Sequence, residues 1–544
     1  MKQPNLNLDW LVPPTNRVPM PGAPATAAGM IDMPVREYPD RIGLIGRHGR
    51  LSYLELDRRA NAASAFLQSL GARPGDRIAA TASNGADLVT AFLACQRIGA
   101  IWVGINRNYA PGEKQYFLED SGALFYLADR DAAMQAGEFR GAIVEMEPGA
   151  TACAWALGLM QHLGRSRPEL ELDPWAPAAI AYTSGTTGRP KGAVHSQHNM
   201  IVAATMSQVM SQDDSELVVR GMTSPMTILN MMILGAVATL SRGDCLVCID
   251  RTDALGVAEW IRDERITTTT LVPTIVYDLL TRPDIPREDL TSLRWLVVGG
   301  AMVPEGLPRL YEERFGSRMT TGYGQTELPT TISRTHDASA STQGAVGRPL
   351  PHLEVSIRDE EDRLLPAGTA GEICVRAASS GPYAQVYTPT LGYWNRPEAT
   401  QATIRNGWLR TGDIGHLAED GDLFVHDRRS DVIIRGGANV YPAEIERVLR
   451  CIPGVTDCAV VGLPDPRLGQ SIAAVIETAP GGDGDALLAA LEAQCAVDLA
   501  RYKRPIAWRF VDGLPRNAGG KVVKAGLKKL FEQVQPSQVT DRKG

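Results

Sequence analysis

The feature that most limits what this chain can become is an alternation of apolar periods. Between Arg41 and about Asn106, short runs rich in apolar and β-branched residues alternate with stretches whose apolar residues recur every three or four positions. RIGLIG and the start of LSYLEL read as strands, and ELDRRANAASAFLQSLG as a helix ended by Gly71. DRIAATA then reads as a strand, ADLVTAFLACQRIG as a helix and AIWVGIN as a strand. The order β-α-β-α-β implies parallel strands with helices packed on their faces. The same rhythm returns between Gly243 and Gly300, where DCLVCID, GVAEWIRDER, TTTTLVP, TIVYDLLTR and LRWLVVGG follow as strand, helix, strand, helix and strand.

The expected fold class is therefore α/β, with two layered α/β subdomains followed from about Pro351 by a β-rich subdomain of short strands (HLEVSIRD, GEICVRA, GDLFVHD). After Asp427 come a charged connection, a short strand, a Gly-Gly turn and a helix, in RRSDVIIRGGANVYPAEIERVLR. The last hundred or so residues then carry a small α+β pattern of their own. We expect a large N-terminal domain over 1–429 and a small C-terminal domain over 430–544. A chain of 544 residues is too long for one hydrophobic core, which agrees with that division.

With 55 Lys and Arg against 62 Asp and Glu, nothing supplies the basic field that a nucleic-acid backbone requires, so no nucleic-acid partner is expected. A small nucleotide needs only a few placed cations and N–H groups. The N-terminal MKQPNLNLDWLVPP lacks the apolar run of a signal peptide, and no stretch approaches the roughly 18 apolar residues of a membrane span. A cytoplasmic location is expected. Eight irregularly spaced cysteines do not describe a disulfide framework. Cys245 and Cys248 form a C-x-x-C pair inside a strand-like run, where residues three apart point to opposite faces, so strand packing is the expected role.

Chemistry concentrates in four segments. In Tyr182–Gly192 (YTSGTTGRPKG), Thr183, Ser184, Thr186 and Thr187 are interleaved with Gly185 and Gly188. Such a loop can turn its N–H and O–H groups inward, and Lys191 adds a cation, which suits a polyphosphate. Pro190 stands where a Walker A loop needs glycine, so that loop's helix geometry is not expected. Thr321–Glu327 (TGYGQTE) offers a flat ring in Tyr323, a hydroxyl in Thr326 and, in Glu327, a carboxylate of the kind that holds Mg²⁺ together with phosphate oxygens. Gly407–Asp413 (GWLRTGD) sets Asp413 behind a tight turn, where it can accept from ribose hydroxyls. Leu514–Lys521 (LPRNAGGK) sets Lys521 behind a flexible Gly pair. Taken singly, each of these also reads as an ordinary turn or a solvated charge.

Together, in this order, they resemble the ANL superfamily of adenylate-forming enzymes, from about Tyr38 to Phe531. The likeness rests on YTSGTTGRPKG, TGYGQTE, GWLRTGD, RRSDVIIRGGANVYPAEIE and PRNAGGK. It implies an AMP-forming ligase using ATP, Mg²⁺ and coenzyme A, with a mobile C-terminal domain that rotates between two half-reactions. By this resemblance, Thr183, Ser184, Gly185, Thr186, Thr187, Gly188 and Lys191 hold the β- and γ-phosphates. Tyr323 and Gly299-Gly300-Ala301 hold adenine. Thr326 meets the α-phosphate, Glu327 the Mg²⁺, and Asp413 and Arg428 the ribose. Lys521 bridges the carboxylate and the α-phosphate. Gly436 and Gly437 line a pantetheine tunnel, and Ser430 is the hinge, where relatives usually carry Asp or Lys. Ser430→Pro is expected to spare adenylation relative to thioester formation.

None of the eight histidines is expected to be catalytic, and His195 and His198 beside the phosphate loop read as structural. The candidate acyl pocket comprises Met226, Thr227, Ile228, Gly299 and Gly322, with Thr227 and Ile228 where many relatives have an aromatic–His pair. Its surroundings are Met-rich (Met222, Met226, Met231, Met232), which favours a lipophilic acid, either a medium- or long-chain fatty acid or an aryl acid. Arg501, Lys503 and Arg504 form a basic cluster that reads equally as a dock for the phosphates of coenzyme A and as a solvated patch. Two other readings stay open at this point: loading of a free-standing carrier protein, and a non-catalytic nucleotide-binding protein. The oligomeric state is also open, a homodimer being one option.

Overall fold

The computed structural model describes residues 8–183, 190–210, 217–298, 306–316, 319–335, 345–428, 431–435, 438–465, 468–478, 484–499, 501–517 and 521–531. The chain divides into two compact units. The first holds 1–356, 374–411 and 418–423; the second holds 357–373, 412–417 and 424–544.

In the first unit the described residues form two large sheets. The seven-stranded sheet runs in the spatial order Gly392–Tyr393, Lys191–Ser196, Pro177–Thr183, Ile101–Gly104, Arg77–Thr81, Phe125–Ala128, Ala142–Glu145. Its central strands are parallel and buried but for Arg77 and Gly104 at their ends, as expected when helices cover both faces. The helix Tyr53–Ser69, which follows the strand Gly49–Ser52 directly, begins at a capping box: Ser52 Oγ accepts from Glu55 N (3.2 Å) and Glu55 Oε2 from Ser52 N (2.8 Å). The chain leaves that helix through Gly71 at φ +98°, a conformation a side chain would strain.

The nine-stranded sheet orders Arg348–Pro349, Thr330–Arg334, Thr320–Gln325, Trp295–Val298, Thr268–Leu271, Val219–Met222, Cys245–Cys248, Ile42–Gly46, Gly49–Ser52. The strands and helices expected between Gly243 and Gly300 are present, and the strands are parallel. The expected parallel β-α-β-α-β run from Arg41 needs correction. Ile42–Gly46 and Gly49–Ser52 are antiparallel partners in the nine-stranded sheet, whereas Arg77–Thr81 and Ile101–Gly104 belong to the other. The cause is the link Arg47-His48, which is long enough for a hairpin and far too short for a crossover. Cys245 packs in one core and Cys248 in another, on opposite faces of their strand, with both thiols buried and free.

A helical run from Leu229 to Arg242 opens and closes as α-helix but widens to a π turn over Met232–Val237. It lies hard against the strand Val219–Met222, since a Cβ on Gly235 would come within 2.9 Å of the Met222 side chain.

A smaller sheet orders Leu353–Arg358, Gly371–Ala377, Trp408–Leu417 and Ile404–Arg405, with Leu423–Arg428 also paired to Trp408–Leu417. In the second unit, the strands Val455–Asp465 and Gly469–Thr478 form a long antiparallel ladder, to which Ala507–Val511 adds in parallel. Helices Pro442–Arg450 and Gly484–Asp498 enclose a core with the ladder, centred on Ile445, Leu449, Ile472, Ile476 and Leu491.

Candidate active site

The phosphate-loop candidate begins where the strand Pro177–Thr183 ends and finishes at the strand Lys191–Ser196. These two strands are antiparallel, with Thr183 opposite Lys191, so the ladder fixes both ends of the loop. Ser184, Gly185, Thr186, Thr187 and Gly188 lie outside the described residues. A second brace comes from the helix Pro111–Ser121. Tyr116 donates to Pro190 O (2.9 Å), and Asp120 accepts from Tyr182 OH (2.8 Å) and from Arg396 NH2 (2.6 Å). Phe117 packs on the Tyr182 ring, centroids 4.6 Å apart. Burial, reinforced by Asp120, pushes the Tyr182 phenol well above its ordinary value, so it remains a donor. Burial opposes the charge of Arg396, but its bond to Asp120 prevails and raises its pKa.

The strand Gly392–Tyr393 joins the outer side of Lys191–Ser196 and brings Tyr393 to the site. The Lys191 ammonium lies 5.4 Å from the Tyr393 ring centroid, and Tyr393 OH donates to Glu327 Oε1 (2.7 Å). Glu327 O in turn accepts from Thr390 N (3.1 Å). Lys191 and Glu327, expected from separate motifs, thus meet through one tyrosine that the sequence reading passed over. Its only local signal is an aromatic pair, Tyr393-Trp394, closely flanked by Gly392 and Pro397.

Thr326 and Glu327 are both half-buried, just after the strand Thr320–Gln325. Tyr323 is half-buried on that strand. Gly322 pairs with Arg334 across the hairpin, and an added Cβ would lie 2.8 Å from the Thr331 methyl, so a side chain there would have to displace it. Gly299, Gly300 and Ala301 lie outside the described residues.

His195 is fully buried. Its Nδ1 meets Asn199 Oδ1 (2.8 Å), and burial holds its pKa down to about 4, against the bonds to Asn199 and the Thr326 backbone. His198 Nε2 meets Val386 O (2.9 Å), and burial lowers its pKa too. Both rings are neutral packing elements.

The acyl-pocket candidates hang from Asn84. Its Nδ2 donates to Met222 O (3.2 Å) and Ser224 O (2.9 Å), and its Oδ1 accepts from Met226 N (2.8 Å). Met226 and Met232 are wholly buried in the main core and Thr227 nearly so, while Ile228 and Met231 are half-buried. Gly104 permits this arrangement, because an added Cβ would lie 1.9 Å from Thr227 O.

The remaining candidates belong to the second unit. Asp413 is buried on the strand Trp408–Leu417, directly after Gly412 at φ +73°, whose N–H donates to Glu372 Oε1 (3.1 Å). Arg428 ends the strand Leu423–Arg428. Ser430, Gly436 and Gly437 lie outside the described residues. Lys521 is exposed, its N–H donating to Asn517 Oδ1 (3.0 Å). The basic cluster is largely engaged. Lys503 pairs with both carboxylate oxygens of Glu444 (2.7 Å each), and Arg504 donates to Leu499 O and Ala496 O (2.9 Å each).

The structure brings the candidate phosphate hairpin together with a cation and a carboxylate that share one tyrosine, and a second unit carries the candidate lysine on a hairpin of its own. The sequence matches the AMP-binding enzyme family over residues 31–385 and the AMP-binding enzyme C-terminal domain over 444–521, and the chain belongs to that family, within the ANL superfamily. It is an acid–CoA ligase by class, and ATP and CoA are the family's substrates.

Among its relatives, a feruloyl-CoA synthase of Amycolatopsis sp is 34% identical over 500 residues, covering 89% of this chain and 95% of the relative. The long-chain-fatty-acid–CoA ligase FadD13 of Mycobacterium tuberculosis is 32% identical over 498 residues, covering 90% and 94%. Among solved structures, the o-succinylbenzoate CoA synthetase of Bacillus subtilis in complex with its acyl-adenylate intermediate aligns with a TM-score of 0.80 at 28% identity, over 93% of this chain and 98% of that one. Among the described residues no helix is long and apolar enough to cross a membrane.

Proposed function

We propose that this enzyme is an AMP-forming ligase for a lipophilic carboxylic acid, aryl or medium- to long-chain aliphatic. It joins the acid to ATP as an acyl-adenylate with release of pyrophosphate, then transfers the acyl group to the thiol of CoA with release of AMP. The observation that carries this reading is the Lys191–Tyr393–Glu327 contact, which holds a cation and an oriented carboxylate through one tyrosine at the strand where the loop ends.

The chemistry sets the requirements. A carboxylate attacking an α-phosphate faces like charge, so cations and oriented dipoles must stabilise charge as it develops. In this assignment Lys191 and the 182–192 loop take the β- and γ-phosphates, Thr326 the α-phosphate, Tyr323 the adenine, and Asp413 and Arg428 the ribose. Lys521 supplies the cation at the bond being made. No side-chain nucleophile or general base is needed for that half-reaction.

One carboxylate together with phosphate oxygens is a donor set that Mg²⁺ accepts, and Glu327, oriented by Tyr393, fits that part. When bound, the metal would supply charge neutralisation at the phosphates. The half-buried Ile228 and Met231 leave an apolar wall, and a reading that spans aryl and aliphatic acids is supported by relatives named for feruloyl and long-chain fatty acyl substrates.

The test is pyrophosphate release across acids from acetate through octanoate and palmitate to benzoate and cinnamate derivatives, with and without CoA. Turnover on one acid class that rises strongly with CoA is expected. A single stoichiometric burst indifferent to CoA would move the acceptor to a carrier protein, and no release with any acid would overturn the reading.

A further inference from the structure

Lys521 rides on a small hairpin. Asn517 N donates to Lys521 O (2.8 Å), Val523 N donates to Pro515 O (2.8 Å), and Arg516 and Val522 are bridge partners. These bonds shape the hairpin, while Leu514, Val522 and Leu527 pack its ends on the ladder and Leu514 N donates to Glu477 Oε2 (2.9 Å). Two cations, one on the first arm and one just beyond the second, add charged anchors.

On the first arm, Arg516 NH2 lies 2.7 Å from Asp457 Oδ2 and 3.3 Å from Glu477 Oε2, carboxylates that face each other across the ladder of Val455–Asp465 and Gly469–Thr478. Beyond the second arm, Lys524 Nζ lies 2.7 Å from Glu446 Oε1 on the helix Pro442–Arg450. The two anchors are joined. Asp457 Oδ1 accepts from Arg450 Nε (2.9 Å), and Arg450 NH2 reaches Glu446 Oε2 (3.4 Å). The result is an unbroken series of alternating charges, Arg516–Asp457–Arg450–Glu446–Lys524, that leaves one arm of the hairpin and returns to the other.

The second anchor is the drier one, its side chains 19% and 7% exposed. Burial there opposes the ammonium form of Lys524, yet Glu446, Asp427 and Asp431 outweigh it and hold the pKa above its ordinary value. Glu446 is further fixed by Val460 N, which donates to Oε1 (2.8 Å). A long stem with a cation at its tip, three residues beyond Lys521, is tied to a buried carboxylate that a backbone N–H also holds.

We infer that Arg516 and Lys524 are positioning residues for the adenylating lysine, the alternating-charge series seating the hairpin so that the Lys521 ammonium is delivered to one place. The inference rests on the adenylating role proposed for Lys521. Adenylation, which uses Lys521, depends on the seat; thioester formation, which does not, is independent of it. A series that served only the fold would weaken both alike.

The experiment uses the full chain as wild type, Lys524→Met, Lys524→Arg and Lys521→Ala, with an acid the wild type accepts. Adenylation is read as acid-dependent ATP–pyrophosphate exchange, and thioester formation as conversion of the synthetic acyl-adenylate by CoA. Since a displacement of about 1 Å at a reacting group costs up to roughly 100-fold, Lys524→Met is expected to lower the adenylation kcat by about 10- to 100-fold. The KM for ATP and the thioester rate should stay within about 3-fold of wild type, and Lys524→Arg should recover most of the loss. Equal loss in both half-reactions, or none in adenylation, would overturn the inference. Full adenylation by Lys521→Ala would instead overturn the role of Lys521 itself. If Lys524→Met does not fold, Arg516→Met at the more exposed anchor (39%) gives the same reading.

Discussion

Two lysines serve the proposed adenylation, and they are held in opposite ways. Lys191 starts a strand of the seven-stranded sheet, with a backbone ladder on each side, an aromatic ring against its ammonium and the helix Pro111–Ser121 bracing the loop before it. Lys521 has a few hairpin bonds and a series of ion pairs. Groups fixed by a ladder are pinned through many short bonds that ignore pH and salt. Groups fixed by ion pairs can be released and re-seated, at a cost set by charge and solvent. The contrast separates a phosphate-site candidate held by backbone bonds from a lysine candidate whose hairpin is tied to its own unit by charges.

The largest effect expected on this contrast is from Lys521→Ala. Removing one stabilising donor at a developing charge typically costs about 100- to 1,000-fold in kcat, and that loss should fall on pyrophosphate exchange alone. A comparable loss in thioester formation would remove the distinction between the two lysines.

On the fixed side, Asp120→Ala strands Tyr182 OH and removes the carboxylate partner of Arg396, which keeps its bonds to Asn395 O and Tyr116 OH, so stability should fall by about 2 kcal/mol in urea unfolding. An unchanged midpoint would show that the ladder alone carries the loop.

Acid should separate the two units. His195 and His352 of the first unit are fully buried, with burial holding their pKa values down to about 4 and about 3. Both take up a proton only on unfolding, so their contribution is present above about pH 6.5 and is lost as the pH falls through the window below it. From pH 7.5 to 5 this amounts to about 2 kcal/mol for each histidine. In the second unit, burial also lowers His416 and His426, but they are half-exposed and contribute less over the same window. Burial there opposes ionisation of Asp457, yet its bonds to Arg450 and Arg516 lower its pKa, so that anchor holds until the pH drops below the usual carboxylate range. Hydrogen exchange read by mass spectrometry at the two pH values should show protection falling first in the first unit. The reverse order would refute the assignment of acid sensitivity to the buried rings.

The smallest effect is at the joint between motifs. Tyr393→Phe keeps the ring beside Lys191 and removes only the bond to Glu327, so adenylation should drop about 10-fold, equivalent to roughly 1.4 kcal/mol, with unfolding little changed. Loss of folding instead would make Tyr393 a structural residue.

The residues legible in the sequence were those whose chemistry is local. Glycine, hydroxyl and lysine spacing marked Thr183 and Lys191, and a carboxylate behind a turn marked Asp413. The residues that hold them were not legible, because Asp120, Tyr393 and Tyr116 come within reach of Tyr182, Lys191 and Pro190 only once the sheet has formed. The same applies to Glu446 and Lys524, 78 positions apart and 2.7 Å from contact to contact. Apolar rhythm revealed the elements themselves but not the pairing of Ile42–Gly46, which was decided by the length of the link after it. Methionine content suggested a pocket wall, yet Met226 and Met232 went into the core, leaving Ile228 and Met231 nearer the surface.

The π turn at Met232–Val237 has a consequence for how such an enzyme can acquire a new substrate. A π turn is an α-helix carrying a surplus residue, and each residue of an α-helix advances about 100° around the axis. Deleting one residue there would let the run close as continuous α-helix and swing Asn230 and Met231 by about that angle, while the strand before and the helix after kept their places. With the acyl pocket where it is proposed above, a single codon lost or gained would reshape its wall at Met231 and leave the residues proposed for the nucleotide untouched.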